Sequence, residues 1–200
     1  MRRVAIVLVI AAASVAHANS SRYTPLVNAN EVDPGCRELA VVPLNTETSS
    51  PSFDAAISTA SCMVSARTRH LVLAPDAASV RALDDAVAPA WAILERVVAA
   101  GDPEHVLLAR YAELDIVTGN AARLLASVPH ISPLMTAQDV HDHYKLVLVA
   151  DALAQPWRQR AIAIRHAIAR LLLAHPELAT HDEVLAYEVE ATRLVELAPR

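Results

Sequence analysis

The chain reads as an all-α protein: a five- to six-helix bundle or helical-hairpin array with an extended N-terminal arm stapled by one disulfide. Three observations lead there. Only 3 glycines occur in 200 residues. After residue 52, apolar side chains recur at alternating steps of three and four, the period of an amphipathic helix. Each such run opens on a capping residue or closes at a proline or glycine. The helical part, residues 53–200, is long enough to bury a sizeable core.

Residues 1–18 precede that domain and read as a secretory signal peptide. Arg2 and Arg3 form a positive n-region, Val4 to Val15 is apolar, and Ala16-His17-Ala18 is a small-x-small cleavage site. The apolar run falls short of the roughly 20 residues that a bilayer-spanning helix needs. Later apolar runs are interrupted by Asp, Glu, Arg or His, so no integral membrane segment is expected after cleavage. Without Arg2 and Arg3 the basic residues fall from 17 to 15 against 22 acidic ones, a net charge of −7. That balance opposes nucleic-acid binding, which neutralises phosphates with clustered Lys and Arg. Sixteen arginines against the single Lys145, with abundant alanine, suggest a GC-rich genome. A bacterial periplasmic or secreted protein is therefore the expected context.

Residues 19–52 are rich in Asn, Ser, Thr and Pro and read as an extended, partly disordered arm, with a turn at Asp33-Pro34-Gly35 and a β-prone run from Leu39 to Leu44. Cys36 and Cys62 are the only cysteines. Export places them where a disulfide persists, and they are expected to pair, tying the arm to the first helix.

That first helix runs from Phe53 to His70, with Ser52 as its cap. Asp76 to Ala100 is the second, carrying Val80, Leu83, Val87, Ala90, Leu94 and Val97 as a stripe, with Pro89 expected to kink or split it. Gly101-Asp102-Pro103-Glu104 then combines a helix stop, an N-cap and a proline at the first helical position, so the next helix folds back as a tight hairpin. This third helix runs to about Ser127, with Gly119-Asn120 as a weak point. Thr136-Ala137-Gln138-Asp139 caps the fourth, and Gln155-Pro156 is read as a break before a fifth from Trp157 to Ala174. Thr180-His181-Asp182-Glu183 is a capping box for the last, in which Val184, Tyr187, Ala191, Leu194 and Ala198 again step by three and four.

Residues 92–125, AILERVVAAGDPEHVLLARYAELDIVTGNAARLL, resemble one unit of a tetratricopeptide-type repeat in the DPE turn and the placement of Ala112 and Gly119. The resemblance implies a helical-hairpin solenoid. It covers that stretch alone: Leu124 stands where such repeats place a small residue, and no further copy recurs at a fixed spacing. A bundle is the preferred reading.

The densest titratable stretch is AQDVHDHYKLVLVADAL, residues 137–153. His141 and His143 are two apart and leave a helix on nearly opposite sides, so they cannot share an ion within it. Asp139 and His143, four apart, share a face, with Asp142 three from Asp139, and could supply part of a metal site that ligands from another helix would complete. Asp151 falls on the apolar side, where a carboxylate needs a partner such as Arg158 or His166. Asp139, His143, Asp151 and His166 are thus the candidate metal or small-ligand residues. The competing reading is a charged helix start, because carboxylates are favoured there by the dipole and the free backbone donors.

Other chemistries lack their motifs. There is no HExxH, no paired ExxH, no CxxCH, no glycine-rich nucleotide loop and no GxSxG. Met63, Met135 and the scattered histidines form no pattern for noncovalent haem, so no cofactor is expected. With no nucleophile to assign, the reading leans to a non-enzymatic protein that binds a protein or peptide, or serves structurally, with a metal- or small-ligand-binding bundle as the alternative. Trp91, Trp157, Tyr144 and Tyr187 are core candidates, and any of them left exposed would mark a binding surface.

Overall fold

The computed structural model describes residues 21–23, 26–43 and 52–180. The expected signal peptide, residues 1–18, and the expected last helix, from His181 onward, lie outside the described residues.

The described part of the arm, residues 21–23 and 26–43, packs onto the helices. Strand β1 (Ser21–Tyr23) pairs antiparallel with β2 (Val41–Pro43), with Arg22 opposite Val42. Between them, Pro34–Ala40 forms a 3-10 helix where an extended chain was expected, and only the end of the β-prone run becomes strand. Cys36 and Cys62 are disulfide-bonded with their Cα atoms 5.8 Å apart. Two arginines add a clamp. Arg67 Nε donates to Asp33 Oδ2 at 2.6 Å and its Nη2 to the Glu31 carbonyl at 3.1 Å. Arg96 Nε donates to the Leu26 carbonyl at 2.7 Å and its Nη2 to Glu31 Oε2 at 2.8 Å.

Four α-helices follow among the described residues: α1 (Phe53–Thr68), α2 (Ala77–Ala100), α3 (Pro103–Ala126) and α4 (Ala137–Ala174). Each opens on the side chain that the sequence nominates or a neighbour of it. Ser52 accepts from the Ala55 amide, Asp76 from Ser79 and Asp102 from His105. At α4 the cap is reciprocal, the Asp139 amide bonding Thr136 Oγ1 while Asp139 Oδ2 accepts from the Thr136 amide. The hairpin from α2 to α3 needs its glycine: the Gly101 amide donates to the Val97 carbonyl at 2.7 Å, and a Cβ on Gly101 would meet that oxygen at 2.8 Å.

Three expected interruptions are absent. Pro89 does not split α2, Gly119 does not interrupt α3, and α4 runs through Pro156 as one 38-residue helix. The fourth and fifth helices of the sequence reading are therefore a single element. Proline removes one backbone bond and strains one turn, but buried neighbours hold the helix on both sides. Ala90, Ile93 and Leu94 do so after Pro89, and Ala154, Trp157 and Ala161 do so around Pro156.

Two cores result. One joins the arm (Leu26, Val27, Val32, Cys36) to Met63 of α1 and Ile93 and Val97 of α2. The other joins Leu107, Tyr111, Val117 and Leu124 of α3 to Trp157, Ile164 and Ile168 of α4. Helix α3 thus lies between α4 on one side and α1 with α2 on the other. No helix among the described residues is long and apolar enough to cross a membrane.

Candidate functional site

All four candidate ligands lie on α4. Asp139 and His166 are separated by about 40 Å of helix axis at 1.5 Å per residue, so the four cannot share one site. Because Pro156 does not turn the chain, His166 is not carried back toward Asp151. Each has a local explanation. Asp139 caps its own helix, and bonds from the Thr136 hydroxyl and amide hold its carboxyl below the usual range. Asp151 is half-exposed and pairs with Arg158 Nη2 at 2.6 Å, whose hydrogen bond lowers its pKa. The expected partner is present, but Asp151 is not buried. His166 is exposed. His143 is half-buried, its ring edge-on to Tyr144, and its Nδ1 has no hydrogen-bond partner among the described residues. Nowhere among those residues do three or more His, Cys, Asp or Glu side chains come together to hold a metal ion.

The same helix carries a different feature. From Ala150 onward α4 packs through Ala150, Ala154, Trp157, Ala161, Ile164 and Ile168. That stripe continues toward the helix start as Val140, His143 and Val147, but these are only half-buried, and nothing from 137 to 149 is buried. About 20 Å of helix is therefore held by its inner edge alone. Its exposed residues are mixed: Tyr144, 59% exposed, and Leu148, 70%, lie one turn apart on one flank, Leu146 is exposed on the other, and Gln138, Asp142 and Lys145 are exposed between them. The loop leading into it adds Leu134, 93% exposed, and Ile131. Charge on this segment is balanced locally, since Asp142 accepts from both Gln138 and Lys145.

No family model, curated protein or solved structure matches the chain. The surface has to be judged on its own chemistry. Isolated exposed apolar residues are ordinary, whereas a large aromatic and a leucine one turn apart on the same side of a helix form a pair of anchors that a partner can cover. Of the four aromatic core candidates, Trp157 is buried, Trp91 is half-buried under the Arg160 guanidinium, and Tyr187 lies outside the described residues. Among the three that are described, Tyr144 is the one left exposed.

Sequence reasoning missed Glu113. Its side chain is fully buried on α3, with Oε2 accepting from Arg110 Nη1 at 2.7 Å and Oε1 without a partner among the described residues. Burial pushes its pKa up, against the lowering influence of Arg110. The signal was available: Glu113 lies four residues after Ala109 and three before Ile116, on a face that is otherwise buried.

Proposed function

We propose that this is an exported, non-enzymatic helical protein, bacterial by composition, that binds a partner protein through the first third of α4. The observation that carries this reading is the exposure of Tyr144 and Leu148, one turn apart, on a helix segment with no buried residue of its own. An amphipathic helix presenting such anchors at a spacing of four fits a groove on another protein. Aromatic anchors of this kind carry much of the energy at interfaces. Export is supported by the signal-like residues 1–18 and by a disulfide that an oxidising compartment would preserve. The acidic balance makes nucleic acid an unsuitable partner.

The test is photo-crosslinking in exporting cells with p-benzoylphenylalanine in place of Leu148, and with Arg81 of α2 replaced as a control on another exposed face. A discrete heterologous adduct at position 148, absent at 81 and suppressed by a peptide spanning 134–153, supports the reading. No adduct, or the same adducts at both positions, overturns it.

A further inference from the structure

A second uncovered face lies farther along α4, and it is independent of the binding segment at the helix start. On the side away from the core, Gln155, Gln159, Ile162, His166, Ala169 and Leu173 are exposed at steps of three and four. Ile162 is 46% exposed and Leu173 83%, more than a finished helical face ordinarily leaves in water. The same half of the helix is wholly basic: Arg158, Arg160, Arg165 and Arg170 occur between residues 152 and 174, with no carboxylate among them. Arg158 pairs with Asp151 and Arg160 stacks over Trp91. Arg165 and Arg170 are exposed and form no ion pair with any described residue.

The end of the described chain bears on what covers this face. After α4 a 3-10 turn (Pro176–Thr180) packs back against the helix, with Leu178 buried in the core that holds Trp157 and Ile168. The chain therefore leaves Thr180 beside the end of α4. The twenty residues that follow are acidic, with Asp182, Glu183, Glu188, Glu190 and Glu196 against Arg193 and Arg200. They also place Val184, Tyr187, Ala191, Leu194 and Ala198 at helical steps.

We propose that residues 181–200 occupy the uncovered basic face of α4, returning antiparallel along it as the closing arm of a helical hairpin. The lengths match. A helix over 181–198 would span about 27 Å, the same as the part of α4 from Trp157 to Ala174. Arg165 and Arg170 flank the face on opposite sides, and an antiparallel return through the turn sets Glu190 near the level of Arg165 and Glu188, on the other side of the apolar stripe, within about one turn of Arg170. The apolar steps then fall against Leu173, Ala169 and Ile162. The start of α4, from 137 to 149, lies beyond this reach and stays open.

The experiment uses the full mature chain with Ile162→p-benzoylphenylalanine, an exposed position that the fold does not need. After irradiation, adducts are sorted by gel into monomer and dimer and mapped by mass spectrometry. The expected result is a crosslink within one chain to a peptide from residues 181–200. Arg165→Glu with Arg170→Glu should lower its yield by roughly threefold, the scale of exposed ion pairs. Adding Glu188→Arg and Glu190→Arg should restore it. A crosslink between two copies means that the segment docks in trans and overturns the proposal. So does a crosslink confined to other parts of the protein, or a yield indifferent to the charge reversals.

Discussion

The indole nitrogen of Trp157 donates to Asp84 Oδ1 at 2.9 Å, joining α4 to α2 across 73 residues, while the ring itself is buried beside α3. This contact sits one residue after the proline at which the sequence seems to call for a break. Trp157→Phe should cost about 1 kcal/mol, the worth of one hydrogen bond, and Trp157→Ala about 3–5 kcal/mol for the emptied site. Denaturant unfolding measures both. Equal losses would mean that the ring contributes little packing.

Pro156 is exposed inside a helix that its neighbours hold continuous. Pro156→Ala should therefore stabilise the protein by about 1–3 kcal/mol, restoring a backbone bond and relieving the ring's clash with the preceding turn. The gain is reduced by the extra freedom of the unfolded chain. A lower denaturation midpoint would show instead that the proline sets a bend required by the core.

Glu113 gives stability a pH dependence of definite sign. Its folded pKa is raised above the ordinary 4.5 by burial, so its contribution is full below the unfolded value and is lost as pH rises through the folded one. Glu113→Gln removes that titration. Relative to wild type, the variant should gain stability as pH rises from about 4 toward neutrality. Denaturant midpoints over that range decide it, and a difference independent of pH would contradict the assignment.

Asp139 titrates in the opposite direction. Its pKa is lowered by bonds from Thr136, so its cap is in place above the ordinary carboxylate range and lost as pH falls through the lowered value. Thr136→Ala should speed amide exchange in the first turn of α4 about fivefold at neutral pH. Global stability should change little, because that segment contributes no buried residue. Hydrogen exchange resolved to residues 137–141 is the appropriate measurement.

The arm is held by the disulfide and by arginines. Reducing the bond between Cys36 and Cys62 frees a loop with a sequence separation of 26, and should cost about 3.5 kcal/mol on the chain-entropy scale. Arg67 and Arg96 still grip Asp33 and Glu31, so residues 26–36 should remain protected from protease after reduction alone. Release should need reduction together with Arg96→Ala.

Much of this architecture is local and was therefore legible in the residues. Caps at Ser52, Asp76, Asp102 and Thr136, the Gly101 hairpin and the helical periods all depend on side chains within four positions of one another. The helical class followed from them, and the pairing of Cys36 with Cys62 from their being the only two cysteines of a chain read as exported. What the residues alone got wrong was decided by distant contacts. Pro156 reads as a break because its cost is local, while the burial of Trp157 and Ala161 that outweighs it comes from α3. Glu113 reads as one more surface charge until Ala109, Ile116 and Asn120 are seen to face inward with it. Asp151 and His166 become neighbours only if the chain turns between them, and it does not. Tyr144 and Trp157 look equally suited to a core; the tertiary structure buries one and leaves the other in water, the buried positions of α4 beginning only at Ala150.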